Sequence, residues 1–147
     1  MLAARLQQTI YEIIRYTEVI NQHYMEPHGV TVTQGYTLLA FPLNDNISMS
    51  ALSDKLGLAN STVTRMVDQL VSKGLVRREP DPEDRRVVQV GLTAQGQGLH
   101  QALAADFQHF FSMVLAEIPL DQQTPIIDSL ELVTQLIIKV MEQKHQG

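Results

Sequence analysis

The chain has no cysteine among its 147 residues. That excludes a disulfide framework, thiolate metal sites and sensing through a thiol. It has no glycine-rich phosphate loop, no H-E-x-x-H and no G-x-S-x-G, so it reads as a non-enzyme that needs no cofactor. Long apolar runs are missing as well. The opening "MLAARLQQTIYEIIRY" carries charge throughout and reads as neither a secretory signal nor a membrane span. A cytoplasmic protein with no membrane partner is the expectation. No two of the histidines (His23, His28, His100, His109, His145) lie four apart, so no helix face offers a metal-binding pair and no metal is assigned. Internal repeats and low-complexity segments are absent.

What remains is a globular composition, 44% apolar and 18% charged, in a chain long enough to bury a core. The formal net charge of −5 would argue against a nucleic-acid partner if it were evenly spread. It is not. Residues 50–91 hold seven Lys/Arg against six acids, a balance of +1, which leaves −6 on the remainder. A local basic surface is therefore allowed.

Apolar spacing predicts the elements. Leu2, Leu6, Ile10, Ile13, Thr17, Ile20 and Tyr24 recur every three or four residues, as on one face of a long helix that "EPHG" ends. A second helix runs from about Val32 to Phe41, with Thr31 as its cap and Pro42 at its end. "ISM" is long enough only for a small strand. Ser50 is expected to cap the short helix "ALSDKLG", and Asn60 or Ser61 the helix "STVTRMVDQLVSKG". The valine-rich "LVRRE" and "VVQVGL" flank a Pro/Asp turn and read as a hairpin. Thr93 caps a further helix, Pro119 breaks it, and a last helix follows with Ile126, Leu130, Val133, Ile137 and Val140 on one face.

Two short helices joined by "GLAN", the second opening in small polar residues, form a helix-turn-helix pattern. The N-terminal residues of such a second helix meet base edges in the major groove. Thr62, Thr64 and Arg65 suit that role, since hydroxyls bond bases or phosphates and arginine bonds guanine through two donors. The same helix would bury Val63, Met66, Val67 and Leu70. The hairpin that follows makes the pattern a winged helix-turn-helix, and an arginine on its turn would enter the minor groove.

The run "ISMSALSDKLGLANSTVTRMVDQLVSKGLVRREPDPEDRRVVQVGLTAQG" resembles the DNA-binding half of the MarR family of bacterial transcription regulators. The "LGL" turn, "STVTRMVDQL", "KGLVRR", "DPEDRR" and "LTAQG" carry the likeness. The resemblance implies a mainly helical fold with a small β-hairpin. It implies an N-terminal dimerisation helix over 1–31, a winged helix-turn-helix over 32–92, and C-terminal dimerisation helices over 93–147. It also implies a homodimer on a pseudopalindromic operator in double-stranded DNA, acting as a repressor released by a small aromatic or anionic effector. The broad apolar faces of the terminal helices agree, because each needs a partner and a second copy is the simplest one.

Residue by residue, the family's Asp-x-Arg falls on Asp84 and Arg86. The arginine would reach DNA, the aspartate would support the wing, and Arg85 would bind phosphate. The recognition helix would begin at Ser61 and Thr62, while Thr64 and Arg65 fall where family members commonly touch DNA, and all four are the expected DNA contacts on this helix. Gln34 matches a common glutamine, but the bulky aromatic often next to it is here Gly35. The candidate effector pocket is Tyr24, His28, Tyr36, Phe41 and Phe107. Two alternatives stay open: a winged-helix protein-interaction module without DNA binding, which the acidic charge favours, and a metal-responsive member of the same family.

Overall fold

The computed structural model describes residues 1–145; the side chain of His145 lies outside the described part. The chain divides into two compact units, Met1–Phe107 and Gln108 onward. In chain order the elements are α1 (Leu2–Met25), a 3-10 turn (Glu26–His28), α2 (Val32–Ala40), β1 (Ile47–Ser48) and α3 (Met49–Leu56). Then come α4 (Asn60–Ser72), β2 (Val76–Pro80), β3 (Val88–Leu92), α5 (Ala94–Ala116) and α6 (Leu120–His145).

Local chemistry sets the boundaries. Thr31 and Gln34 form a reciprocal capping box at the start of α2, with Gln34 N–H donating to Thr31 Oγ1 and Thr31 N–H donating to Gln34 Oε1, both at 3.2 Å. The short helix α3 starts two residues earlier than Ser50 would place it. Ser48 is its cap, accepting from Ala51 N–H at 3.1 Å, because β1 runs straight into the helix. Gly57, at φ 65, ends α3 in the left-handed region where a side chain would strain the backbone. Neither Asn60 nor Ser61 caps α4. Asn60 is already helical, Ala59 is the cap residue, and no side chain accepts there. The Asn60 carbonyl instead receives the Thr64 hydroxyl at 2.8 Å. Thr93 does cap α5, accepting from Gly96 N–H at 3.1 Å.

The sheet has three strands rather than two, in the order β1-β3-β2, all antiparallel. Ile47 pairs with Val90, and Arg78 pairs with Val90 from the other side. One core lies beneath the sheet and helices. Leu38, Phe41, Leu52, Val63, Val67, Leu70, Val90 and Leu103 are buried in it, at about 1.5–3 kcal/mol for each large side chain taken from water. On α4 the residues buried are Val63, Met66, Val67 and Leu70, which orients the opposite face outward.

The long helix α1 buries only Asn21 and Met25. Its apolar Leu2, Leu6 and Ile13 are exposed. In the second unit, α6 exposes Leu130, Leu136, Ile137 and Val140 in the same way. Apolar surface on this scale is unusual for a helix that stays in water.

Gly35 has a structural reason. A Cβ built on it would lie 2.4 Å from Met25 Sδ, so the methionine of α1 fills the volume over this position and would have to shift to admit a side chain. Met25 is completely buried.

Candidate nucleic-acid interface

The interface is built from α4 and from the turn joining β2 to β3. Anchored by its buried face, α4 presents Ser61, Thr64 and Arg65 to solvent, with Thr62 half-buried. The Thr64 hydroxyl is turned back onto its own helix, where it donates to the Asn60 carbonyl.

The arginines at either end of "RREPDPEDRR" differ in what they touch. Arg77 donates to Glu79 Oε1 at 2.6 Å, to Asn46 Oδ1 at 3.2 Å and to the Leu92 carbonyl. Arg78 pairs with Asp68 of α4. Both therefore serve the rest of the winged unit. Lys55 and Lys73 are also engaged, donating to the carbonyls of Ala40 and Gly29 respectively. Arg65, Arg85 and Arg86 make no side-chain hydrogen bond or ion pair among the described residues. Of the seven cations between 50 and 91, the three left over are those on the outer face of α4 and on the wing.

The wing turn is held by carboxylates and backbone. Asp84 Oδ1 accepts from Arg86 N–H at 3.0 Å, so the aspartate grips the backbone of Arg86 and leaves its guanidinium unbound. Asp81 is a second holder that the sequence reading does not single out. It accepts from Glu83 N–H at 2.8 Å, Asp84 N–H at 3.2 Å and Gln89 Nε2 at 2.7 Å. The signal was available: an aspartate opening a proline-containing turn is the residue type that bonds backbone N–H groups two and three positions on. Those bonds, led by the one from Glu83, hold the Asp81 carboxyl below the usual aspartate value. The Arg77 bond and charge, with help from Asn46, do the same for Glu79.

The five aromatic and histidine positions expected to form a pocket separate. Phe41 is 2% exposed and belongs to the core. Tyr36 is exposed and receives Asn21 Nδ2 on its hydroxyl at 2.6 Å. Tyr24 and Phe107 stack edge to face at 5.5 Å. Only His28 lines the cavity of about 520 Å³ that opens beside the end of α4, together with Val30, Lys73, Leu75, Gln95 and Leu99. His28 also meets Asp106 of α5 at 3.5 Å. Among the described residues no group of three or more His, Asp or Glu gathers as a metal site, and no helix is long and apolar enough to cross a membrane.

Comparison with known proteins agrees with this geometry. Residues 31–88 match the MarR family. The uncharacterized HTH-type transcriptional regulator YdgJ of Bacillus subtilis is 29% identical over 123 residues, covering 84% of this chain and 75% of that protein. A second B. subtilis regulator of the same description, YhbI, is 30% identical over 103 residues, covering 70% of this chain and 67% of its own. Among solved structures, a mutant MarR from E. coli complexed with operator DNA superposes with a TM-score of 0.74 at 26% identity, over 88% of this chain and 93% of the other. With its α3–α4 pair, its three-stranded wing and these relatives, the chain belongs to the MarR family of helix-turn-helix transcriptional regulators.

Proposed function

We propose that this regulator acts in the cytoplasm as a homodimer on a pseudopalindromic operator, most simply as a repressor. Ser61, Thr62, Thr64 and Arg65 of each copy enter the major groove, and Arg85 and Arg86 reach the flanking phosphates and minor groove. The observation that carries this reading is the division of the cations: four are neutralised or capped inside the winged unit, and the three uncommitted ones lie on its two projecting features. An acidic chain can bind DNA in this way, because phosphates respond to the local charge they meet and the net charge elsewhere is screened beyond about 8–10 Å.

The reading extends to an effector. The cavity beside α4 has an apolar floor in Val30, Leu75 and Leu99 and polar edges in His28 and Lys73, which suits a small organic anion. Lys73 directly follows α4 and holds the Gly29 carbonyl, so an anion that drew it away would loosen the end of the recognition helix. Couplings of this kind typically amount to about 1–3 kcal/mol.

The test is binding to DNA from upstream of the chain's own gene, measured at two salt concentrations. Affinity should fall steeply with salt and exceed that for a random-sequence duplex of equal length. Binding that ignores salt, or shows no sequence preference, would remove the DNA reading and leave a protein-interaction module in its place.

A further inference from the structure

We propose that Asp81 is a positioning residue for DNA binding: it sets the aim of Arg85 and Arg86 without touching either, through a relay of bonds from β3 to the wing tip. The inference rests on reading the wing as a DNA contact.

The relay can be followed atom by atom. Gln89 sits on β3, the middle strand, paired with Ser48 on one side and Glu79 on the other. Its Nε2 donates to Asp81 Oδ2, which ties the turn to the strand that is paired on both sides. Asp81 Oδ1 then accepts from the N–H groups of Glu83 and Asp84, curling the first half of the turn. Asp81 N–H closes the loop onto the Val87 carbonyl at 2.9 Å. Asp84, now fixed by its own N–H, takes Arg86 N–H on its side chain and Val87 N–H, at 2.9 Å, on its carbonyl. The backbone of both arginines' neighbours is thus determined, while their guanidiniums carry no partner among the described residues. Pro80 and Pro82 flank Asp81 and restrict the same backbone from either side.

Simple electrostatics predicts the opposite sign for this residue. A carboxylate on a turn that faces phosphate repels it, so deleting the charge should tighten binding. If Asp81 instead pre-forms the wing, deleting its side chain should weaken binding, because the arginines must then be ordered at the moment of contact.

The experiment measures Kd by fluorescence anisotropy on a duplex recovered from a random-sequence pool by the parent protein. D81A should bind about tenfold more weakly, the scale expected when bonds to a charged acceptor are lost. D81N keeps an acceptor oxygen for Glu83 and Asp84, and with the Gln89 amide turned over so that Oε1 accepts from the new Nδ2 it keeps the tie to β3, so it should retain most of the affinity. In an R85A/R86A background, at salt low enough to keep that protein bound, D81A should have no further effect. D81A binding as tightly as the parent, or more tightly, overturns the proposal. So does a D81A loss that persists undiminished without the arginines, since Asp81 would then be holding the fold in general. If D81A fails to fold, Q89A, which removes the tie to β3 and leaves every charge in place, is judged by the same two criteria. A parent protein that selects no sequence from the pool would refute the DNA reading itself, a result distinct from any of these.

Discussion

At the scale of single residues, charge on the page and charge available differ. Arg77, Arg78, Arg85 and Arg86 look equivalent in the sequence, two at each end of one short stretch. In the structure the side chains of the first pair are bonded to Glu79, Asn46, Leu92 and Asp68, and those of the second pair make no such bond among the described residues. The reason is strand geometry. Arg77 and Arg78 lie on β2, where neighbouring strands and α4 bring partners within reach, whereas Arg85 and Arg86 lie beyond the last rung of the ladder at Pro80–Val88. Arg86→Ala should therefore weaken operator binding and reduce the salt slope by about one phosphate contact, without changing subunit assembly. Anisotropy titrations across a salt series, with sedimentation of the same samples, check both halves. An unchanged slope would take Arg86 away from the DNA.

At the scale of the element, the wing is a hairpin whose turn is ordered by ionised carboxylates, and this gives it a pH dependence of known sign. The folded-state values of Asp81 and Glu79 lie below the ordinary 3.8 and 4.5. Groups lowered in this way contribute stability that is fully present above the ordinary value and is lost as pH falls through the folded value. The wing should accordingly keep the same order from about pH 8 down to about pH 5 and loosen only in stronger acid. Amide exchange of Glu83, Asp84 and Arg86 over that range checks the expectation. Loss of protection already near neutrality would mean that something other than these carboxylates holds the turn. The other candidate recognition element, α4, is anchored by four buried apolar side chains.

At the scale of the whole molecule, α1 and, in the second unit, α6 each expose a row of apolar side chains, and the first unit has already closed its own core without the outer face of α1. A second copy is the simplest occupant, and two copies would also supply two recognition helices for two half-sites. Leu136→Glu combined with Val140→Glu, both exposed on α6, should convert a dimer to a monomer in sedimentation and cost most of the operator affinity. A double variant that still sediments as the parent does would place the subunit contact elsewhere.

Much of this was determined by the sequence alone. Helices of period three to four, the "GLAN" turn and the valine strands are local patterns, and each resolves within a few residues of itself, whereas the Asp-x-Arg of the wing was legible through the family resemblance. That locality is why the winged fold and the outward face of α4 were legible. Cap positions shifted by one or two residues because β1 feeds directly into α3 and because Asn60 joined its helix instead of closing it. The tertiary structure alone decided the long-range pairings. It decided that β1 joins the sheet across β3, that Met25 fills the space above Gly35, and that Phe41 is buried in the core. It also sorted the arginines into those with partners and those without. Such outcomes depend on which atoms, distant in the chain, compete for one volume or one hydrogen bond, and no spacing in the sequence records that competition.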